Sequence, residues 1–325
     1  MAEKGPYIFG NLQLEARKLS FSFLIISGPT ASGKTDWAIQ LHRATSWPII
    51  SFDSRQFYRE MRIGTARPNE EECRQAPHRF IADRSILEPL TAGGFAAEAR
   101  AYIESSGKDH FLLVGGSGLY LKALLYGFDT FPEVDDKLRT HIQRGFENGG
   151  IQWLGSEIQR LDPAKWEQTD RKNPQRMMRI LGILMAGGVP FDHWKKSEPM
   201  PHFSCLNIAP EWERSTLYRR IDERVDRMMA EGLEGEVRSL LPHRKEQVLK
   251  SVGYSELFDH FDGIISRDEA VEQIKRNSRR YAKRQCTWWN HQPPPVQWIP
   301  AQRNILDIEE VRCFIEQKQN KQALE

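Results

Sequence analysis

Cysteine is scarce in this 325-residue chain: Cys73, Cys205, Cys286 and Cys313 lie far apart, with no C-x-x-C pair and no paired Cys/His spacing. That argues against a disulfide framework and against a structural zinc site. Also missing is any apolar run near the ~20 residues that cross a bilayer. The first twenty residues carry Glu3, Lys4, Glu15, Arg17 and Lys18 without a long apolar centre or a small-residue cleavage site, so no signal peptide is expected. A reducing cytoplasm and no membrane partner follow as expectations. Nor is there an excess of charge of one sign. Lysine plus arginine, 46, nearly balances aspartate plus glutamate, 44, so partners must be read from local clusters. Internal repeats and low-complexity segments are absent too. What is there, 39% apolar and 28% charged residues, suits a chain with a sizeable buried core. The length suits about two domains.

Residues 21–27, Trp47–Phe52 and Phe111–Val114 are short apolar runs that end in Gly28-Pro29, in Asp53 and in Gly115-Gly116. Each reads as a buried strand. Helical spacing separates them, at Trp37, Ala38 and Leu41 and again over Phe95–Ile103. Strands alternating with helices predict an α/β fold: a parallel sheet with helices on both faces. From Pro132 the chain turns charged and rich in arginine and tryptophan. Asn173-Pro174 reads as an N-cap and first turn, and Gly187-Gly188 with Pro190 as a stop. Residues 132–203 are therefore expected to form an inserted all-helical domain. Cys205–Ala209 returns to the sheet. A helix with Leu217, Ile221, Val225, Met228 and Met229 on one face follows, then a second, basic on its exposed side, over 268–289. The expected organisation is a discontinuous core of 21–131 and 204–295, the insertion, and a tail of 296–325 with an amphipathic helix over Ile305–Ile315.

Gly28, Pro29, Thr30, Ala31, Ser32, Gly33, Lys34 and Thr35 satisfy G-x-x-x-x-G-K-[ST] between a strand and a helix, the context that motif requires. The glycines let backbone N–H groups converge on a diphosphate, and the helix N-terminus adds positive potential. Lys34 supplies a point charge and Thr35 a hydroxyl for Mg²⁺. The loop does not say which diphosphate is bound, and most such loops take ATP or GTP. Asp53 could organise a metal or act as a base, which leaves a small-molecule kinase open.

Further motifs follow in order: Asp53-Ser54-Arg55-Gln56, Ile63-Gly-Thr-Ala-Arg-Pro68, Pro77-His78, Gly115-Gly-Ser-Gly-Leu-Tyr120, Asn173-Pro-Gln-Arg176 with Arg179, Val252-Gly-Tyr254 and Lys283-Arg-Gln-Cys-Thr-Trp288. Together with the loop, over roughly residues 21–292, they resemble the tRNA dimethylallyltransferase (tRNA isopentenyltransferase) family. Ser117 stands where that family more often has threonine, and Phe80-Ile81-Ala82-Asp83 departs from its commoner pattern. With no zinc-finger tail, the bacterial type is implied. The resemblance implies that Thr30–Thr35 hold the diphosphate of dimethylallyl diphosphate, with Thr30 and Lys34 in the catalytic set. It implies that Asp53 takes the proton from an adenine amine. Ser54, Arg55, Gln56 and Ser117 would contact tRNA, as would the helix of Gln175, Arg176, Met177, Met178 and Arg179. The implied reaction prenylates the adenosine 3′ of the anticodon.

An adenine exocyclic amine is a poor nucleophile, so transfer to it needs stabilised leaving charge, exclusion of water and a proton acceptor. Arg220 and Arg224 share a helical stripe with Arg227, readable either as a diphosphate or RNA contact or as a salt-bridged solvent face. Lys275, Arg276, Arg279, Arg280, Lys283 and Arg284, with Trp288 and Trp289 beyond, suit RNA backbone and bases. Arg139 adds a candidate RNA contact in the helical domain. Phe57 and Tyr58 either border the base pocket or pack in the core, and His78 reads as structural. A single-chain, Mg²⁺-dependent enzyme is expected. The alternatives are an adenylate isopentenyltransferase acting on free AMP, ADP or ATP, and a P-loop kinase.

Overall fold

The computed structural model describes residues 21–127, 131–194 and 203–301. The expected terminal helix over Ile305–Ile315, and Cys313, lie outside these residues. Six parallel strands form one sheet in the order β3-β2-β4-β1-β5-β6. They are β1 (Phe21–Ile26), β2 (Ile49–Ser51), β3 (His78–Arg79), β4 (His110–Val114), β5 (Phe203–Glu211) and β6 (Val296–Pro300). The fold is α/β, as the alternation of strands and helices requires.

Every residue of β1 is buried. Leu24 and Ile26 cluster with Leu112, Val114, Leu206 and Ile208 against Trp37, Ala38, Ile39 and Leu41 of α1 (Lys34–Thr45). Side chains alternate across a strand, so Phe23 points the other way. There its ring meets Phe111 and Phe203, and Tyr102 of α3 (Ala92–Ser105) meets Phe111 edge-on. Both faces are thus covered, which explains why the strands read as continuous apolar runs. α2 (Glu70–Gln75) is closed by an Asn69–Glu72 capping box.

The chain divides into two compact units. The sheet unit holds residues 21–89, 102–118 and 203–301, and the helical unit holds 90–101, 119–127 and 131–194. The helical unit thus takes in chain on both sides of β4 as well as the expected insertion. α4 (Gly118–Tyr126) leads into it. α5 (Asp136–Leu161), α6 (Pro163–Glu167) and α7 (Pro174–Gly187) then pack around Ile142, Leu154, Ile158, Met177, Ile180 and Leu181. The Asn173 side chain caps α7 by accepting from the Arg176 N–H at 3.1 Å, and Gly188 (φ 64°) ends it.

In the sheet unit, α8 (Arg214–Ala230) buries Leu217, Ile221, Val225 and Met228. α9 (Leu233–Ser239), α10 (Tyr254–Phe261) and α11 (Arg267–His291) follow. Residues 296–300, expected in a tail, instead form β6, which pairs with β5 from Asn207–Val296 to Glu211–Pro300. Its partly exposed pattern is that of an edge strand, which carries no continuous apolar run to read. Among the described residues no helix is long and apolar enough to cross a membrane.

Candidate active site

The phosphate loop leaves β1 with Gly28 at φ 127° and enters α1 through Gly33 at φ 94°. A Cβ on Gly28 would stand 3.3 Å from that of Ala209 on β5, so the loop needs glycine there both for conformation and for space. No side chain caps α1, so its first-turn N–H groups face the loop as an anion site. Lys34 Nζ donates to the Pro29 carbonyl at 2.7 Å. Desolvation lowers its pKa to about 8, against the raising effect of the Asp53 carboxylate.

Side chains distant in sequence hold the loop's shape. Trp212 Nε1 donates to the Ser32 carbonyl at 2.9 Å, and Arg220 Nε to that of Ala31 at 2.9 Å. The Arg220 guanidinium stacks 4.3 Å above the Trp212 ring, a contact that suits a planar cation. Gln285 of α11 is a clamp. Its Oε1 accepts from Thr30 N at 2.9 Å, and its Nε2 donates to the Gly116 carbonyl at 3.0 Å. A Cβ on Gly116 would lie 2.4 Å from Gln285 Nε2, so the second glycine-rich turn is glycine to admit this amide.

Asp53 follows β2, and the Arg55 N–H donates to its Oδ1 at 3.2 Å. Ser117 Oγ accepts from Ser54 N at 3.0 Å and donates to Ser54 Oγ at 3.0 Å, tying the Asp53–Gln56 turn to the end of β4. Gln56 Nε2 reaches the Thr65 and Ala66 carbonyls at 3.3 and 3.4 Å. Arg224 donates to the same Thr65 carbonyl at 3.0 Å. Burial lowers its pKa, opposed by Asp53. These groups surround a cleft of about 1140 Å³ within the sheet unit. At its rim Tyr281, 38% exposed, has its phenol pushed up to about 12 by desolvation and by the Asp53 carboxylate, and so stays protonated at neutral pH.

Of the residues singled out from sequence, Thr30–Thr35, Asp53–Gln56, Arg220, Arg224 and Arg284 line this cleft. Gly28 and Pro29 shape the loop behind it. Ser117 acts through Ser54, and Lys283 lies exposed on α11 outside the lining. Arg139, Gln175, Arg176, Met178 and Arg179 belong to the helical unit. Met177 is fully buried in that unit's core and offers no side chain to RNA. Trp289 is likewise core, 2% exposed and edge-on to Phe52. Phe57 and Tyr58 are buried together and pack as core residues. On α11, Lys275 pairs with Asp226 and Arg279 with Asp222, so part of the basic run binds α8. Gln285, Trp212 and Tyr281 were not singled out. Gln285 sits inside the Lys283–Trp288 motif, where the neighbouring charges dominate the pattern, and Trp212 and Tyr281 have no motif.

Fold and cleft define a P-loop-type α/β protein whose loop lysine and a carboxylate at the end of the next strand face one cavity. The IPP transferase family model matches residues 56–292, and the chain belongs to that family. It is 39% identical over 298 residues to the tRNA dimethylallyltransferase of Christiangramia forsetii, covering 91% of this chain and 97% of that one. To the Geobacillus thermodenitrificans protein of the same name it is 38% identical, covering 90% and 95%. The solved full-length tRNA isopentenylpyrophosphate transferase of Bacillus halodurans is similar at a TM-score of 0.66 and 32% identity, covering 93% of this chain and 98% of that chain. A eukaryotic dimethylallyltransferase structure, 22% identical with a TM-score of 0.73 over 90% of this chain and 75% of its own, shares the fold.

Proposed function

We propose that the chain transfers a dimethylallyl group from dimethylallyl diphosphate to the N6 amine of the adenosine 3′ of the anticodon in tRNA. The observation that carries this is that Lys34 of the loop and Asp53 after β2 line one cleft. The N6–carbon bond forms as the allylic carbon–oxygen bond breaks, its electron pair leaves on diphosphate, and the N6 proton passes to Asp53. Loop amides, Lys34, Arg220 and Arg224 hold the leaving charge. Gln285 keeps Thr30 in place, and Arg55 N–H fixes one oxygen of the base. An anticodon loop is single-stranded, so its adenosine enters a pocket without first leaving a duplex.

Among the described residues no three His, Cys, Asp or Glu could hold a metal by themselves. Mg²⁺ does not need them, since it is commonly held by one or two protein groups plus phosphate oxygens and water. The Thr35 hydroxyl lines the cleft beside the loop and fits that role, which leaves the Asp53 carboxylate for the proton. Bound there, Mg²⁺ would neutralise diphosphate charge. Exposed Gln175, Arg176 and Arg179 would track the RNA backbone, as would Lys283 and Arg284 on α11. The protein acts as a single chain in the cytoplasm.

The test is diphosphate release by the purified full chain with Mg²⁺ and dimethylallyl diphosphate. Release that requires an unmodified anticodon stem-loop supports the reading. Release driven by AMP or ATP instead would assign the chain to free nucleotides, and ATP consumption without the prenyl donor would make it a kinase.

A further inference from the structure

The segment 62–66 lines the active cleft, but the site's chemistry does not account for how it is held. Its backbone N–H groups at Arg62, Ile63 and Gly64 all donate to one carboxylate, Glu236 of α9, at 3.0, 2.7 and 3.0 Å. A fourth donor, the Tyr254 hydroxyl, reaches Glu236 Oε1 at 2.7 Å. A carboxylate offers about four lone-pair positions, so this one is saturated. Tyr254 is 1% exposed, and burial together with Glu236 raises its phenol well above the usual value, so it remains a donor. A Cβ on Gly64 would stand 2.6 Å from the Tyr254 ring, and the turn closes onto this pair only because position 64 is glycine.

The next residue is where the turn meets the chemistry. The Thr65 carbonyl accepts from both Gln56 Nε2 and Arg224. Thr65 Oγ1 is itself spent on the Met61 carbonyl at 2.6 Å, so the residue is fixed on both sides. If the turn shifted, the carbonyl would shift, and the side chain following the base and the arginine beside it would lose their common anchor.

We infer that Glu236, braced by Tyr254, is a positioning residue for the transfer reaction: it locks the 62–64 turn so that the Thr65 carbonyl orients Gln56 and Arg224 in the cleft. This rests on the functional reading above. A carboxylate is needed because only it takes all four donors. Glutamine keeps the shape, yet its amide turns an N–H toward backbone N–H groups.

The test uses the full chain with Glu236→Gln, Tyr254→Phe, Gln56→Ala and the two double variants. Two quantities are read: affinity for a fluorescent anticodon stem-loop without donor, and the separate KM and kcat values for transfer. Glu236→Gln should weaken stem-loop affinity and raise its KM about tenfold, the scale of a lost charge-assisted hydrogen bond. In the Gln56→Ala background the same change should cost less than about twofold in stem-loop affinity, because the anchored RNA contact is already gone, while its effect through Arg224 remains in the KM for the prenyl donor. Tyr254→Phe, which leaves three of the four donors, should show the same non-additivity at about threefold. If Glu236→Gln does not fold, Tyr254→Phe carries the decision. Fully additive effects, or a fall in kcat with both KM values and RNA affinity unchanged, would overturn the inference and leave Glu236 a purely structural brace. Failure of the wild type to transfer would refute the functional reading instead, and the binding cycle would still judge the brace.

Discussion

The cleft of the sheet unit and the surface of the helical unit present their cations in opposite ways. In the cleft three are pinned to backbone carbonyls: Lys34 to Pro29, Arg220 to Ala31, Arg224 to Thr65. On the helical unit Arg139 is 66% exposed in a surface pair with Asp136, and Arg179 rests 5.9 Å from the Phe131 ring. Bond-making requires groups held to within a fraction of an ångström, which only a rigid scaffold provides. Binding a polyanion depends on charge density and tolerates mobile side chains. Under the proposed function the contrast would place chemistry in the first region and RNA adhesion in the second, and single substitutions should separate them.

The largest effect is expected at Asp53. Asp53→Ala should slow turnover by about 10² or more at unchanged RNA affinity, the scale of a lost general base, and stopped-flow transfer would register it. Unchanged turnover would remove Asp53 from the reaction. Lys34→Ala should raise the KM for the prenyl donor by about 10², since a charge-assisted contact is lost and a desolvated site left short of charge. Titration of the wild type sharpens the same point. The folded-state pKa of Lys34 is depressed to about 8 from 10.5, so the free protein loses the ammonium as pH rises through 8, whereas bound diphosphate restores it. Donor affinity should be flat below pH 8 and fall above it by up to about tenfold per pH unit, an inflection that Lys34→Ala should abolish.

Gln285→Leu should raise donor KM about tenfold, the cost of stranding Thr30 N and the Gly116 carbonyl. The smallest effect belongs to the helical unit. Arg176→Glu with Arg179→Glu should raise KM for tRNA about three- to tenfold and flatten its salt dependence, leaving donor KM alone. An equal loss on the donor would erase the division of labour between the two regions.

Much of this division is legible in the sequence. The glycines, lysine and threonine of 28–35 are adjacent in the chain because the loop they build is local, and strand–loop–helix context marks them. α7 is bounded by its own caps at Asn173 and Gly188. Gln285, Trp212 and Glu236 are harder to read, because each acts across more than 160 residues, and a single polar residue has no period. Met177 shows the reverse error: a motif reads as a contiguous surface, whereas a helix turns every third or fourth residue inward. β6 and the chain on either side of β4 that joins the helical unit escaped for a related reason, since edge pairing and unit membership are decided by tertiary neighbours rather than local pattern.

The central claim is that one cleft brings an allylic diphosphate to an anticodon adenosine. Nucleoside mass spectrometry tests it most directly, after incubating the purified protein and Mg²⁺ with dimethylallyl diphosphate and an unmodified anticodon stem-loop. A five-carbon gain on the adenosine 3′ of the anticodon, lost when inosine replaces that base, is the predicted result. A gain elsewhere in the RNA, or one that persists without the exocyclic amine, would contradict the account.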